Sequence, residues 1–236
     1  MLGIRYREVS RLEGFSDAVF GFALTLLVVS LETPLNLKDL RDQMTGFVPF
    51  ALTFAMVCWI WYEHNIFFRR YGLQDAWTVF LNAVLLFVVL FYVYPLRFLT
   101  MALVGALGLM AEGTYPKFEG DSGLLMVLYS AGVLVIFTVF LLLYWHAWRQ
   151  RKQMELSPLE ELQLKYRARS HGISAGIAVV SLLMLAIAPN LTMFAGMIYG
   201  LMGPLHAWNG YRGGAAQEKL KAATAIDPAT TSTGTA

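Results

Sequence analysis

The apolar residues of this sequence fall into long runs separated by shorter polar segments. A helix crosses the roughly 30 Å hydrocarbon core of a bilayer with about 20 residues, at about 1.5 Å per residue. Six runs, together with their flanking residues, meet this requirement, at about 18–31, 45–68, 76–94, 124–148, 171–188 and 191–208. The pattern predicts an all-α, multi-pass membrane protein with six transmembrane helices.

The polar segments divide the chain into one membrane domain and a tail. Residues 1–211 contain all six runs and form the predicted transmembrane domain, whereas 212–236 is rich in Ala, Thr and Gly and is predicted to be a disordered tail. We expect the third run to end near Pro95, and 159–169 to form a short amphipathic helix before the fifth run.

Composition supports the membrane assignment. The chain of 236 residues is 57% hydrophobic and 14% charged, with a mean hydropathy of +0.55, whereas a soluble domain carries about a quarter charged residues. The net charge of +2 gives no reason to expect a nucleic-acid partner. Cys58 is the single cysteine, which excludes an intrachain disulfide framework. The partner that this composition implies is the lipid bilayer.

The distribution of Lys and Arg predicts the orientation. With the N-terminus inside, every Lys and Arg lies on the cytoplasmic side except Lys38, Arg41, Arg97 and Lys117. Cytoplasmic loops of membrane proteins carry an excess of these residues. Both termini, and with them the tail, are therefore predicted to be cytoplasmic.

The first predicted helix carries more polar groups than a purely lipid-facing helix needs. Ser10 and Glu13 have the spacing of a capping box, so the helix is expected to begin at Ser10. Arg11 and Asp17 lie about 120° apart around the helix axis and cannot pair with each other. Because an unpaired charge near hydrocarbon is costly, each is expected to find a partner on another helix. A hydroxyl such as that of Thr25 can simply bond back to its own helix.

Several other polar residues are predicted to lie near the cytoplasmic ends of the spans, namely His64, Asn82, His146, His171 and His206. Interfacial side chains commonly gather at such ends, and this is the simplest interpretation of the last three histidines. His64 follows Trp61 by one helical turn within the second span, which favours a buried hydrogen-bonding role. No metal-ligand spacing, nucleophile motif or phosphate-binding loop is present, so we predict neither an enzyme nor a bound cofactor.

The motif Arg11-x-x-x-Phe15-Ser16-Asp17 starts an apolar helix in which Thr25 follows eight residues after the aspartate. This pattern, with Trp61-x-x-His64 on the second span, resembles the signature of the transmembrane protein 175 family. That family comprises potassium channels of endosomes and lysosomes, with single-repeat bacterial homologues. The resemblance implies a homotetrameric, passive potassium channel in the plasma membrane of a bacterium, with monovalent cations as the permeant species.

The resemblance also implies roles for particular residues. Family members line the pore with the first helix and have no carbonyl selectivity filter, and no Gly-Tyr-Gly sequence occurs here. The implied pore-lining residues are Phe22, Thr25, Leu26 and Val29. The residues implied to anchor that helix are Arg11, Phe15, Ser16, Asp17, Trp61, His64 and Asn82. Phe22 departs from the family, which has a branched aliphatic residue at this constriction.

Two other functions fit the residues. Asp17, Glu63 and the four histidines could serve a proton-conducting or proton-coupled transporter. A membrane scaffold that conducts nothing would fit if the oligomer had no axial pathway. Phe22 also leaves open whether the pathway is weakly selective among cations, because four aromatic rings could narrow the axis or turn aside.

Overall fold

Every regular element of the described residues is a helix, so the all-α prediction is confirmed. A computed structural model of the chain describes residues 8–29, 31, 33–110, 112–116 and 122–230. The α-helices are α1 Arg11–Val29, α2 Leu37–Thr45, α3 Phe47–Tyr71, α4 Ala76–Ala106, α5 Ser122–Gln150, α6 Pro158–Ile187, α7 Thr192–Met197 and α8 Met202–Thr230. Short 3-10 helices at Pro189–Leu191 and Ile198–Leu201 flank α7.

Four of these helices, α1, α4, α5 and α6, are long and apolar enough to cross a membrane. The pair α2 and α3 adds a fifth crossing if the two helices, which meet at a bend of 48°, act as one broken span. The predicted sixth span, 191–208, is not one regular helix. It consists of α7, the 3-10 turn at Ile198–Leu201 and the start of α8, in a stretch that three glycines and Pro204 weaken as α-helix.

Polar caps determine where the helices begin and end. The backbone N–H of Ser10 donates to Glu13 at 2.7 Å, and that of Glu13 donates to the Ser10 hydroxyl at 3.2 Å, which is the predicted capping box. Ser157 and Glu160 form a second capping box at the start of α6. Gly72 ends α3 with a φ of 57°, a left-handed conformation that glycine adopts at little cost.

Three boundaries differ from the sequence prediction. Helix α4 continues through Pro95 to Ala106, because helices in a membrane protein tolerate proline where neighbouring helices support the freed backbone. Helix α6 merges the predicted amphipathic helix and fifth span into one element. Helix α8 continues beyond residue 211 to Thr230, since Ala, Gln, Glu, Lys and Leu in this segment favour helix. The end of the predicted tail, 231–236, lies outside the described residues.

The helices pack in a chain of neighbours, with α1 at one side of the bundle. Helix α1 contacts α3 and α4, whereas α5 packs between α4 and α6, and α8 packs on α6. The core cluster is almost entirely aliphatic and aromatic and extends from Phe20 on α1 to Ala178 on α6. Helix α1 therefore contributes one face to the core and leaves the opposite face free of its own subunit.

Small residues and hydroxyls allow the central helices to approach closely. A Cβ at Gly132 of α5 would lie 2.0 Å from the ring of Tyr92, so only glycine leaves room for that ring. The hydroxyl of Ser181 on α6 donates to the carbonyl of Ala195 at 2.9 Å. It accepts from the hydroxyl of Ser130 on α5, also at 2.9 Å. Such contacts are typical of helix packing in membranes.

Asp75 connects the start of α4 to α5. Its Oδ1 accepts the backbone N–H groups of Trp77 and Thr78, and its Oδ2 lies 3.0 Å from Nε2 of His146. Burial disfavours the charged carboxylate, but the hydrogen bonds from His146 and Thr78 outweigh it and lower the pKa of Asp75 to about 2. The stability that this ionised group contributes is fully present above pH 3.8, its ordinary pKa, and is lost as the pH falls towards 2.

We expect Asp75→Ala to lower the melting temperature of the purified protein by several degrees, because the loss of a helix cap costs about 1–2 kcal/mol. Asp75→Asn keeps a capping oxygen and removes only the charge, so its melting temperature at neutral pH should lie between those of Asp75→Ala and the native protein. Intrinsic tryptophan fluorescence during heating measures both changes. Equal melting temperatures for Asp75→Ala and the native protein would contradict the capping role.

Candidate functional site

Helix α1 has one buried face that packs on α3 and α4. Its buried residues recur every three or four positions and are Glu13, Ser16, Phe20, Ala23 and Leu27. At about 100° per residue they occupy one side of the helix. This face fixes the position of α1 against its own subunit.

The implied pore residues lie on the other side of α1. Phe22 is 59% exposed and Val29 72% exposed, and Thr25 is exposed while Leu26 is half-buried. Phe22 and Val29 differ by only about 20° around the axis and point about 150° away from the centre of the buried face. Phe22, Thr25 and Val29 thus lie together on the exposed side of α1, with the half-buried Leu26 at its edge.

Ser16 on α1, Asn82 on α4 and His64 on α3 form one hydrogen-bonded chain. The Ser16 hydroxyl donates to the carbonyl of Leu12 at 2.8 Å and accepts from Nδ2 of Asn82 at 2.9 Å. Oδ1 of Asn82 lies 2.8 Å from Nε2 of His64, and because this oxygen can only accept, Nε2 carries the proton. All three side chains are buried, so the network joins three helices inside the bundle.

A second contact joins α1 to α3 nearer the surface. The indole Nε1–H of Trp61 donates to Oδ1 of Asp17 at 2.7 Å. Trp61 and His64 lie one turn apart on α3. Trp61 contacts Asp17 directly, and His64 is connected to Ser16 through Asn82. Ser16 and Asp17 are neighbours on α1. The structure therefore brings together five of the residues implied as anchors.

Arg11 and Phe15 do not take part in this anchor. Phe15 is 62% exposed, and Arg11 is exposed and has no ion-pair partner among the described residues. Both lie on the same side of α1 as Phe22 and Val29, because 11, 15, 22 and 29 fall within about 40° around the axis. Of the two charged residues expected to find a partner on another helix, Asp17 finds one in Trp61, whereas none is found for Arg11 among the described residues.

Thr25 bonds back to its own helix. Its hydroxyl donates to the carbonyl of Gly21 at 2.9 Å, which is the simple structural role that the sequence allowed. Because the hydrogen points back along the helix, the oxygen lone pairs remain free to accept from or coordinate a group on the exposed side.

The remaining histidines have separate local partners that the sequence did not reveal. Nε2 of His146 lies 3.0 Å from Asp75, and His206 lies 2.6 and 2.9 Å from the hydroxyls of Ser170 and Ser174. His171 is buried and stacks on Phe140 at 4.9 Å between ring centroids. Within the described part of the chain, no group of His, Cys, Asp and Glu side chains could hold a metal ion.

The ion pair between Glu63 and Arg167 also escaped the sequence analysis. Nη1 of Arg167 on α6 donates to Oε2 of Glu63 on α3 at 2.9 Å. The two residues are 104 positions apart in the chain. No local spacing signals such a pair, although both residues lie near the predicted cytoplasmic end of their helices.

Comparison with known proteins agrees with the motif. A family model described as the endosomal/lysosomal potassium channel TMEM175 matches residues 11–92, which include α1, α3 and the anchor. A protein of Marivirga tractuosa named potassium channel is 38% identical over 212 residues, which is 85% of this chain and 86% of the relative.

Solved structures share the fold. A variant of the potassium channel MtTMEM175, crystallised with a nanobody–MBP fusion protein, superposes with a TM-score of 0.79 at 36% identity, over 89% of this chain and 95% of that one. A TMEM175 homologue from Chamaesiphon minutus superposes with a TM-score of 0.58 at 21% identity, over 88% of this chain and 99% of that one, a likeness that shows the fold alone. The motif, the sequence identity and the shared fold establish that this chain belongs to the TMEM175 family.

Proposed function

We propose that this protein is a potassium channel in which α1 from each of four identical subunits lines a central pathway. The relative that covers most of the chain is named a potassium channel, and so is the similar solved structure. The observation that carries the proposal is the two-sided character of α1. One face is fixed by the Ser16–Asn82–His64 network and the other carries Phe22 and Val29 into open space.

Small residues beside this stripe support assembly through α1. Gly14, Ala18 and Gly21 lie on the exposed side of the helix, and a Cβ at either glycine would meet no atom of the same chain within 4 Å. Small residues at this spacing let helices approach closely in membranes. In a tetramer they would allow α1 helices to pack around an axis, and Arg11 and Phe15 would contact a neighbouring copy.

Phe22 is the proposed constriction. Four such rings around an axis would form an apolar ring that excludes water and gates by dewetting. Thr25 follows one turn later, about 4.5 Å along the helix, and its hydroxyl oxygen has lone pairs directed away from the helix. Leu26 and Val29 would continue the apolar wall. Selectivity would come from the cost of dehydrating the cation, with Thr25 as the oxygen that offsets part of it.

The proposed topology has six crossings, with both termini in the cytoplasm of a bacterium. Helices α1, α4, α5 and α6 and the pair α2–α3 supply five. The sixth would run through α7 and the first part of α8, which form a continuous helical path because the backbone stays in the right-handed helical region at Ile198 and Met202. The anchor of α1 then lies towards the cytoplasmic side.

The histidines do not favour the alternative of a proton carrier. His64 is hydrogen-bonded to Asn82 and His146 to Asp75, whereas His171 lies 3.6 Å from Glu63, which lines the same cavity as His206. These are three separate sets of contacts, and a carrier would need a path for protons that connects them. The same flux experiment separates the two functions, because a potassium channel collapses a potassium gradient without a pH gradient.

The test is potassium flux out of potassium-loaded liposomes that contain the purified protein. The outward potassium gradient should make the interior negative, which a voltage-sensitive dye reports and protein-free liposomes do not show, and native mass spectrometry should give a tetramer. Flux that responds to protons but not to potassium would support the proton carrier instead. No flux of either ion from a correctly folded tetramer would leave the scaffold as the function.

A further inference from the structure

A polar cavity lies between the end of α3, the first half of α6 and the middle of α8, away from α1. It encloses about 260 Å³, and its lining includes Glu63, Arg70, Arg167, Asn209 and Gln217. Glu63 and Arg70 are seven residues apart and therefore share one face of α3, about two turns from each other. The cavity is separate from the proposed pore, since α1 contributes no residue to it.

Arg70 is the unusual feature of this cavity. Its side chain lines the cavity but is only 4% exposed, and neither Nη1 nor Nη2 has a hydrogen-bond partner in the described part of the chain. A buried arginine keeps its charge, and leaving that charge and its N–H groups without a partner costs several kcal/mol. An anion in the cavity would satisfy both once the guanidinium turned towards it, because neither nitrogen is accessible in its present position.

The one carboxylate of the cavity is already engaged. Oε2 of Glu63 accepts from Nη1 of Arg167 at 2.9 Å and lies 3.6 Å from Nε2 of His171. The pair Glu63–Arg167 is thus internally compensated, and the charge of Arg70 is left over. The lining as a whole carries an excess of one positive charge, which favours an anionic occupant.

Neutral donors complete the lining. Gln163 donates to Oε1 of Gln217 at 2.9 Å, which leaves the amide nitrogen of Gln217 as a donor. Nδ2 of Asn209 is bonded to the carbonyl of Tyr166 at 3.0 Å and holds that side chain at the wall. The cavity thus offers a guanidinium and amide N–H groups in one lining, and a guanidinium can bind two phosphate oxygens at once.

We infer that this cavity binds a phosphate group, with the guanidinium of Arg70 as its counter-charge. The group can belong to a free phosphate compound or to the headgroup of an anionic phospholipid. Both can reach the cavity because it lies near the predicted cytoplasmic ends of α3 and α6, where the membrane surface meets water. The occupant would connect α3 with α6 and α8, and α3 also carries Trp61 and His64, which hold α1. The inference does not depend on conduction by the proposed pore.

The experiment compares melting temperatures of the purified full-length protein with inorganic phosphate and with chloride at equal ionic strength. We expect phosphate to raise the melting temperature in a saturable manner. Arg70→Gln, which keeps hydrogen-bonding capacity but removes the charge, should lose this rise. Arg69→Gln removes the adjacent charge, which does not line the cavity, and should keep the rise. This control accounts for changes in melting temperature that come from the lower net charge alone or from the general effect of phosphate ions on protein hydration.

Gln217→Glu provides a second variant in case Arg70→Gln does not fold. The new carboxylate can still accept from Gln163, so the fold should be kept, while its charge repels phosphate and compensates Arg70. We expect at least tenfold weaker binding of phosphate by this variant. A phosphate response in Arg70→Gln or Gln217→Glu as large as that of the native protein would overturn the inference, as would a native protein that responds to neither phosphate nor anionic lipid.

Nanodiscs distinguish the two sources of the phosphate group. In discs of zwitterionic phosphatidylcholine, a rise with inorganic phosphate assigns a free anion to the site. In discs that contain phosphatidylglycerol, the alternative result is a melting temperature that is already raised and that added phosphate does not raise further. That result assigns the lipid headgroup to the site. Either result supports the site if the rise in melting temperature disappears in Arg70→Gln. A rise that survives in Arg70→Gln contradicts the site.

Discussion

Replacing Asn82 by leucine is expected to lower the free energy of unfolding by about 2–3 kcal/mol. Leucine has nearly the size of asparagine, so the main change is the loss of two buried hydrogen bonds. Nε2–H of His64 loses its acceptor and the Ser16 hydroxyl loses its donor. Because Nδ1 of His64 is already without a partner in the described chain, the imidazole would be buried with no hydrogen bond. Equilibrium unfolding in mixed micelles measures the loss.

Asn65→Leu is the matched control for this experiment. Asn65 lies next to His64 on α3 but is only half-buried, and its side chain forms no hydrogen bond with the described residues. Its replacement should change the free energy of unfolding by less than about 0.5–1 kcal/mol. If both replacements destabilise the protein equally, the network is not what holds α1, and the anchor must be sought in the apolar contacts of Phe20, Ala23 and Leu27.

Phe22→Ala is expected to raise potassium flux per channel by about tenfold or more. Removing four phenyl rings from the axis would widen and wet the constriction, and a tenfold gain corresponds to a barrier lower by about 1.4 kcal/mol. Stability should change little, because Phe22 is exposed in the single chain. Flux in liposomes at matched protein density measures the gain, and tetramer content is determined in the same samples.

Val28→Ala serves as the control for Phe22→Ala. Val28 is also exposed on α1 but lies about 120° away from Phe22 around the helix. Its truncation should leave the flux within about twofold of the native value. A Phe22→Ala protein that assembles normally and conducts no faster would show that another side chain sets the constriction, with Leu26 and Val29 as the next candidates.

The sequence carried the information for α1 and its anchor because that information is local. The capping box of Ser10 and Glu13 is a spacing of three residues, and Trp61 and His64 lie one turn apart on an apolar helix. The resemblance to the transmembrane protein 175 family implies a polar anchor on the third span, and Asn82, a polar residue near the start of that span, is the candidate. Helical periodicity then places Phe22 and Val29 on one stripe.

Features that depend on distant contacts could not be predicted in this way. Pro95 normally ends a helix, and only the surrounding bundle allows α4 to continue past it. Gln217 lies in a segment whose composition resembles a disordered tail, yet it bonds to Gln163 on α6. Arg70 appeared to be one of two arginines that mark a cytoplasmic end, and its burial becomes visible only in the folded chain, where it lines a cavity together with residues of α6 and α8.

The most direct test of the central claim is the effect of a charged thiol reagent on channels with one cysteine on α1. Cys58 is the single native cysteine, so Cys58→Ser provides the background. In Val29→Cys, a positively charged methanethiosulfonate reagent should abolish potassium flux. In Leu183→Cys on α6, which is also exposed in one chain, the same reagent should leave flux unchanged. Unchanged flux through labelled Val29→Cys channels would contradict a pore lined by α1.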